Sequence, residues 1–388
     1  MIQYRKSSAS KKNFLLALST LIIAVACASI DTRRNDAPVL LPEAIEIDKN
    51  GIRIAVYPQL ELLSVIQLLS GYRYIIDEFM PGFNPDFELE YERIINARFA
   101  DFREHEAVLF MYRYFPKGFN FCCPPKAALM INRDFTLDRA AFAASGNFQA
   151  FYDIIDEFVS LMKSFYLESD FETFFLSQAY FYAAILEQVA GVFPDWDMIS
   201  VMESFFGKNL ESYNVALVPL YANHGFGPSI MRENGLAIYS IQGPFGVDGN
   251  GYPWFGDTEN FTHLALHEFG HSFLDFNNSD NIHIRRALED SEYLMDPIRE
   301  QMLMQAYGHW NYAAEELILR AIVIRMLADN IGIDVEEHLG KEYNRGFIYI
   351  HTVYDLLQLY IDNRETYPVF DDFIPFLIGE LMRIYPRP

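Results

Sequence analysis

Hydrophobic and polar positions alternate over residues 52–56, where Arg53 and Ala55 separate Ile52, Ile54 and Val56. That period of two predicts a short strand, closed by Tyr57-Pro58. The spacing turns helical over 60–69, and Gly71 supplies a stop. Helical patterns recur over 91–115, 148–166, 171–192 and 197–206, separated by clusters of Gly, Asn and Pro. Near Gly207 the character changes. Short apolar runs over 215–220 and 236–241 predict strands, with Pro219 pointing to an edge position for the first. A loop rich in Gly and aromatic residues over 243–256 leads into helix-like sequence over 260–276, ended by Asn277-Asn278-Ser279-Asp280. Helical spacing returns over 296–307, 312–329, 347–362 and 370–385. The sum predicts an α+β fold, mostly helical with a small sheet. A helix-rich N-terminal lobe over 45–206 would precede a lobe over 207–388 that carries the chemistry.

The first residues read as an export signal. Arg5, Lys6, Lys11 and Lys12 precede an apolar run over 14–26, shorter than the roughly 20 residues a membrane span needs. Residues 1–26 are thus expected to be a signal peptide. Ala24-Val25-Ala26-Cys27 resembles a bacterial lipobox, which would anchor the mature chain through a lipid on Cys27. Ala26-Cys27-Ala28 instead fits a cleavage site for plain secretion. Both readings place the protein in the cell envelope or outside it, with residues 27–44 as a flexible tether and no transmembrane helix in the mature chain.

Composition narrows the partners. Removing residues 1–26 takes away four basic and no acidic residues, moving the formal charge from −23 to −27. Such a field opposes phosphates, which excludes nucleic acid as a partner. Only three cysteines are present, too few for a disulfide framework, and Cys122 and Cys123 are expected to be buried thiols. The 34 Phe and 24 Tyr fall in helical stripes, which predicts core packing rather than a sugar-binding platform.

His267-Glu268-Phe269-Gly270-His271 carries the clearest chemistry. On a helix, residues four apart share a face, so both imidazoles can meet one metal ion, expected to be zinc. Glu268, one step round, would serve as general base for an attacking water. A catalytic zinc site needs a third protein ligand. The pattern HExxHxxGxxH is excluded, because its Gly and second His positions hold Leu274 and Asn277. A cysteine from just upstream is excluded too, since Cys123 is the nearest. A glutamate on a second helix remains. Glu315-Glu316 opens an otherwise apolar helical run, and Arg320 shares a face with Glu316. His263 lies one turn before His267; three histidines at that spacing cannot reach one ion on a straight helix, which makes it a wall or supporting residue. Asp248-Gly249-Asn250-Gly251 reads as a turn.

These motifs, with Gly346-Phe347-Ile348-Tyr349 and the early segment Tyr57-Pro58-Gln59-Leu60-Glu61, resemble a family of secreted bacterial proteins with an uncharacterised domain. That family belongs to the gluzincin clan, typified by thermolysin, and the similarity covers most of residues 50–385. The resemblance implies a thermolysin-like active-site core in the C-terminal half and zinc peptidase activity on a peptide or protein substrate. It places the third ligand at Glu316, beside His267 and His271, with Glu268 as base. Gluzincins also use a His or Tyr to stabilise the transition state, a part for which His351 and Tyr349 are available. Thermolysin has Asn before its ligand Glu and Asp four residues on, where this chain has Glu315 and Arg320. The rival reading is a non-catalytic envelope lipoprotein that keeps such a fold for binding. The intact Glu268 speaks against it, because a structural zinc site needs no base.

Overall fold

A computed structural model describes residues 38–72, 87–221, 225–274, 276 and 280–387. The expected signal peptide, Cys27 and the breaker at Asn277-Asn278-Ser279 lie outside the described residues. Residues 40–388 form one compact unit. The chain is mostly helical with a small mixed sheet, in keeping with the α+β expectation.

The sheet draws on strands far apart in sequence. β1 (Ile45–Lys49) and β2 (Ile52–Val56) form an antiparallel hairpin. β2 pairs parallel with β3 (Ser212–Leu217), and β3 pairs parallel with β6 (Gly235–Gln242). On its other side β6 takes the short antiparallel strands β4 (Gly225–Phe226) and β5 (Ser229–Arg232). One expectation is corrected here. Pro219 does not mark an edge strand: β3 is central, and it ends at Leu217, before the ring could break the ladder. The strand expected over 236–241 is present as β6, which is paired on both sides. The edge beside it belongs to β4 and β5.

Between β2 and β3 the chain makes nine helices: α1 (Pro58–Leu69), α2 (Glu90–Arg98), α3 (Glu106–Tyr114), α4 (Cys123–Leu129), α5 (Arg139–Ala143), α6 (Tyr152–Glu168), α7 (Phe171–Ser177), α8 (Ala179–Val192) and α9 (Met198–Phe206), counting described residues only. Pro58 begins α1, where a missing N–H costs nothing. The single helix expected over 91–115 is broken between Arg98 and Glu106, where His105 caps α3 by accepting from Ala107 N at 3.0 Å. Aromatic rings fill this region, Phe99, Phe165, Phe171 and Phe174 among them, all buried. The core reading of the aromatic residues is thus met.

A small hairpin, β7 (Gly246–Val247) with β8 (Pro253–Trp254), leads to α10 (Thr258–Gly270). Its connection is the expected turn, with Asp248 Oδ1 accepting from Asn250 N and Tyr252 N. Asp257 caps α10 by accepting from Asn260 N at 2.9 Å. Then follow α11 (Ile282–Asp290), α12 (Arg299–Met304), α13 (Trp310–Ile331), α14 (Val335–Asn344), α15 (Ile350–Asp362) and α16 (Phe370–Ile384). α10 is sandwiched against β6 and α13. The approach to α13 is close: a Cβ on Gly270 would stand 2.2 Å from Leu319 Cδ1. Glycine inside the HExxH helix lets the two helices touch.

Among the described residues no helix is long and apolar enough to cross a membrane.

Candidate metal centre

α10 buries Phe261, Ala265, Leu266 and Phe269 in the core, which fixes its rotation. The adjoining face carries His267 and His271, whose ring centroids lie 4.9 Å apart at 86°. Opposite them, the first turns of α13 carry Glu315 and Glu316, both buried. Glu316 Oε2 is 3.5 Å from His267 Nε2, and Glu316 Oε1 is 3.3 Å from His271 Nε2. The donor atoms of His267, His271 and Glu316 all lie within 4.8 Å of one another, so this group could hold a metal ion. The expected third ligand stands where the histidines meet.

Two supports hold it. Arg320, one turn after Glu316, donates from Nε and Nη2 to Glu316 Oε2 at 3.1 and 3.0 Å. Its Nη1 reaches Glu342 Oε2 at 2.9 Å, and its guanidinium lies 4.7 Å from the Phe347 ring centroid. Glu315 makes the second support. Its Oε1 accepts from His271 Nδ1 at 3.0 Å and its Oε2 from Phe276 N at 2.9 Å. The same contact explains where the chain leaves the helix. α10 was expected to run to Phe276 but ends at Gly270, and the turns that follow bring Phe276 N to Glu315.

Electrostatics sort the two histidines. Burial holds His267 well below the ordinary histidine range, in the neutral form a metal requires. Its buried Nδ1 has no hydrogen-bond partner among the described residues. Burial also opposes charge on His271, but hydrogen bonds to Glu315 and Glu316 outweigh it and raise the group. For Glu316 burial works against the carboxylate; His267, Arg320 and His271 prevail and hold it well below the usual carboxylate range. Two imidazoles and a carboxylate suit a divalent ion of zinc's borderline softness.

Glu268 sits beside the triad, 6% exposed, and burial pushes its carboxyl up to about 7. The edge strand presses against it. A Cβ on Gly225 would fall 2.6 Å from Glu268 Oε1, and one on Gly227 would fall 2.2 Å from Glu268 O. Two glycines thus allow the sheet edge to lie directly over the acid. Two cavities open here, of about 570 and about 330 Å³, and both are bordered by Phe226, His267, Glu268 and Tyr307.

His263 lines the larger cavity, its ring parallel to that of His267 within 5° and 6.3 Å away. Burial, with Arg320 nearby, lowers it to about 4. Tyr349 and His351 are not brought to the cavities. Tyr349 is buried, donates to Leu294 O at 3.0 Å and packs on Trp310 and Tyr385. His351, on α15, faces Tyr343. Both belong to the packing of α15, whose direction local spacing does not reveal. Tyr307, which the sequence reading passed over, brings an aromatic hydroxyl to the site, and Tyr312 also borders the smaller cavity. Tyr307 accepts through its oxygen from Arg320 Nη2 at 3.4 Å. It follows Ala306, held in the left-handed region at φ 66°, where Tyr307 N bonds back to Met302 O at 2.9 Å. Cys122 and Cys123, expected to be buried, are both half-buried free thiols, and Cys122 borders the smaller cavity.

A family model described as Domain of unknown function (DUF4932) matches residues 52–380. The chain belongs to that family. The DUF4932 span takes in every side chain of the centre, from Gly225 to Arg345. No curated protein and no solved structure matches the chain.

Proposed function

We propose that this protein is an exported zinc-dependent hydrolase with a gluzincin-type site, acting as a peptidase. The observation that carries the reading is the triad itself. His267, His271 and Glu316 converge from two helices, with an unligated buried carboxylate, Glu268, at their side. A metal held only for structure would leave that acid without a task.

Zinc bound there would lower the pKa of a water toward about 7 and polarise a carbonyl. The remaining roles fall to the chain. Glu268 takes the proton of the attacking water and returns it to the leaving amine. Glu315 keeps the proton of His271 on Nδ1, so that Nε2 presents a lone pair to the ion. Arg320 orients Glu316 and offsets its charge. Tyr307 takes the part expected of Tyr349 or His351, donating its hydroxyl to the carbonyl oxygen as charge grows on it. The edge formed by β4 offers backbone groups to an extended substrate lying over Glu268.

The test is hydrolysis of an unbiased peptide library by zinc-loaded wild type and by Glu268→Gln. Cleavage by the first and not the second is the expected outcome. An intact library under every metal condition would hand the protein to the binding-module reading.

A further inference from the structure

The two cavities that share Glu268 differ in size and in the cations they present. Among the described residues the smaller is lined by the acids Glu268, Glu315 and Glu316 and by neither Lys nor Arg. The larger carries three cations, Arg320, Lys341 and Arg345, beside three acids, Glu259, Glu268 and Glu342. Arg320 is committed to Glu316, Glu342 and Tyr307. The other two are not. Lys341 and Arg345 stand four residues apart at the end of α14, with side chains 55% and 57% exposed.

Their present partners hold them loosely. Lys341 pairs with Glu337, itself 60% exposed, the kind of surface pair that water screens. Arg345 gives Nη1 to Glu342 Oε1, and no hydrogen-bond partner stands on its Nε or Nη2 among the described residues. Glu342 keeps Arg320 if Arg345 turns away. The backbone beneath Arg345 is fixed, because Arg345 O accepts from Gln305 Nε2 at 2.8 Å and Gly346 packs on Gln301. That same segment ends in Tyr307. The cations are therefore exposed at their tips and anchored at their base. They also oppose the sign of a chain whose formal charge is −23.

We infer that Lys341 and Arg345 select an acidic side chain of the substrate in the larger cavity. The inference rests on the peptidase reading for its substrate class. A guanidinium with an unused edge matches a carboxylate in two-point contact, and a lysine beside it adds a second charge.

The experiment uses labelled peptides identical except for Glu, Gln or Lys at one position, bound to zinc-loaded Glu268→Gln protein and followed by anisotropy. The Glu peptide should bind at least about tenfold more tightly than the Lys peptide, a difference two charge contacts readily supply. Lys341→Glu with Arg345→Glu should invert the order, and Lys341→Gln with Arg345→Gln, gentler on Glu342, should level it, with zinc content unchanged in both. Where wild type cleaves, kcat/KM should follow the same order. Discrimination in binding without turnover sustains the inference and sinks the hydrolase. Equal affinity for the three peptides, or an order that survives both double variants, overturns the inference and leaves the hydrolase standing. A failure of every peptide to bind overturns both.

Discussion

Glu315 Oε1 stands 3.0 Å from His271 Nδ1, and its other oxygen is tied to the backbone at Phe276. The neighbouring Glu316 faces the same imidazole from the side of Nε2. Two consecutive glutamates thus address the two nitrogens of one histidine. One fixes the ring and the other completes the triad. Glu315→Ala should weaken zinc affinity by about 10- to 100-fold, the usual cost of losing a carboxylate behind a histidine ligand. Competition with a chromophoric chelator measures it. An unchanged affinity would remove Glu315 from the centre.

Metal content separates ligands from the base. Purified protein should hold about one zinc per chain, as one catalytic site requires. His267→Ala, His271→Ala and Glu316→Ala should each lose most of it, while Glu268→Gln keeps it. Elemental analysis after dialysis decides this. Full occupancy in all three ligand variants contradicts the assignment.

Two tyrosines should behave in opposite ways. Tyr307→Phe should lower kcat by about 10- to 100-fold with little change in stability or zinc, as expected for a lost transition-state donor. Tyr349→Phe should leave kcat alone and cost about 1–2 kcal/mol of stability, by stranding the buried Leu294 carbonyl. Steady-state kinetics and urea unfolding of the pair give the answer. A kinetic defect in Tyr349→Phe alone would reverse the two roles.

The glycine edge admits a direct test. Gly227→Ala sets a methyl against the Glu268 carbonyl, at a separation of 2.2 Å that only backbone movement can relieve. We expect a stability loss of about 1–3 kcal/mol and a fall in turnover. Wild-type melting and wild-type rates would show that β4 does not press on the acid.

A buried acid far from the motif makes stability depend on pH. Glu61 is 1% exposed, and burial raises its carboxyl to about 7 although Tyr91 donates to it at 2.5 Å. In the unfolded chain it returns to about 4.5. The folded form therefore binds the extra proton, so the contribution is complete below about pH 4.5 and is lost as pH rises through about 7. The difference amounts to about 3 kcal/mol. Glu61→Gln should flatten this slope and gain relative stability at pH 8. Parallel slopes for the variant and wild type in urea unfolding from pH 4.5 to 8 would contradict it.

How legible all this was depended on distance along the chain. The pair His267 and His271 is a statement about one helix, and period alone gives it. Glu316 with Arg320 is likewise local, four residues on one face. The hairpin partner of β2 was passed over although it was legible, since the turn signal Asn50-Gly51 stands between the alternating runs over 45–49 and 52–56. Tyr307 was hidden for a different reason. It projects from a helix end whose direction is set by Ala306 in a left-handed conformation, and nothing in the residue type announces that. Tyr349 shows the converse. A tyrosine near a suggestive segment turned into the core, because burial of its ring beside Trp310 and Tyr385 decides its orientation. Gly225 and Gly227 became meaningful only once the sheet edge lay over Glu268.

The contact between Gly270 and Leu319 has a consequence for how the protein is assembled. The spacing between the two ligand helices is set by interlocked core, and Arg320 already balances the charge of Glu316. Folding then need not wait for an ion. If the centre takes zinc as proposed, the chain would reach its final shape as an inert precursor, and activation would follow wherever zinc is supplied.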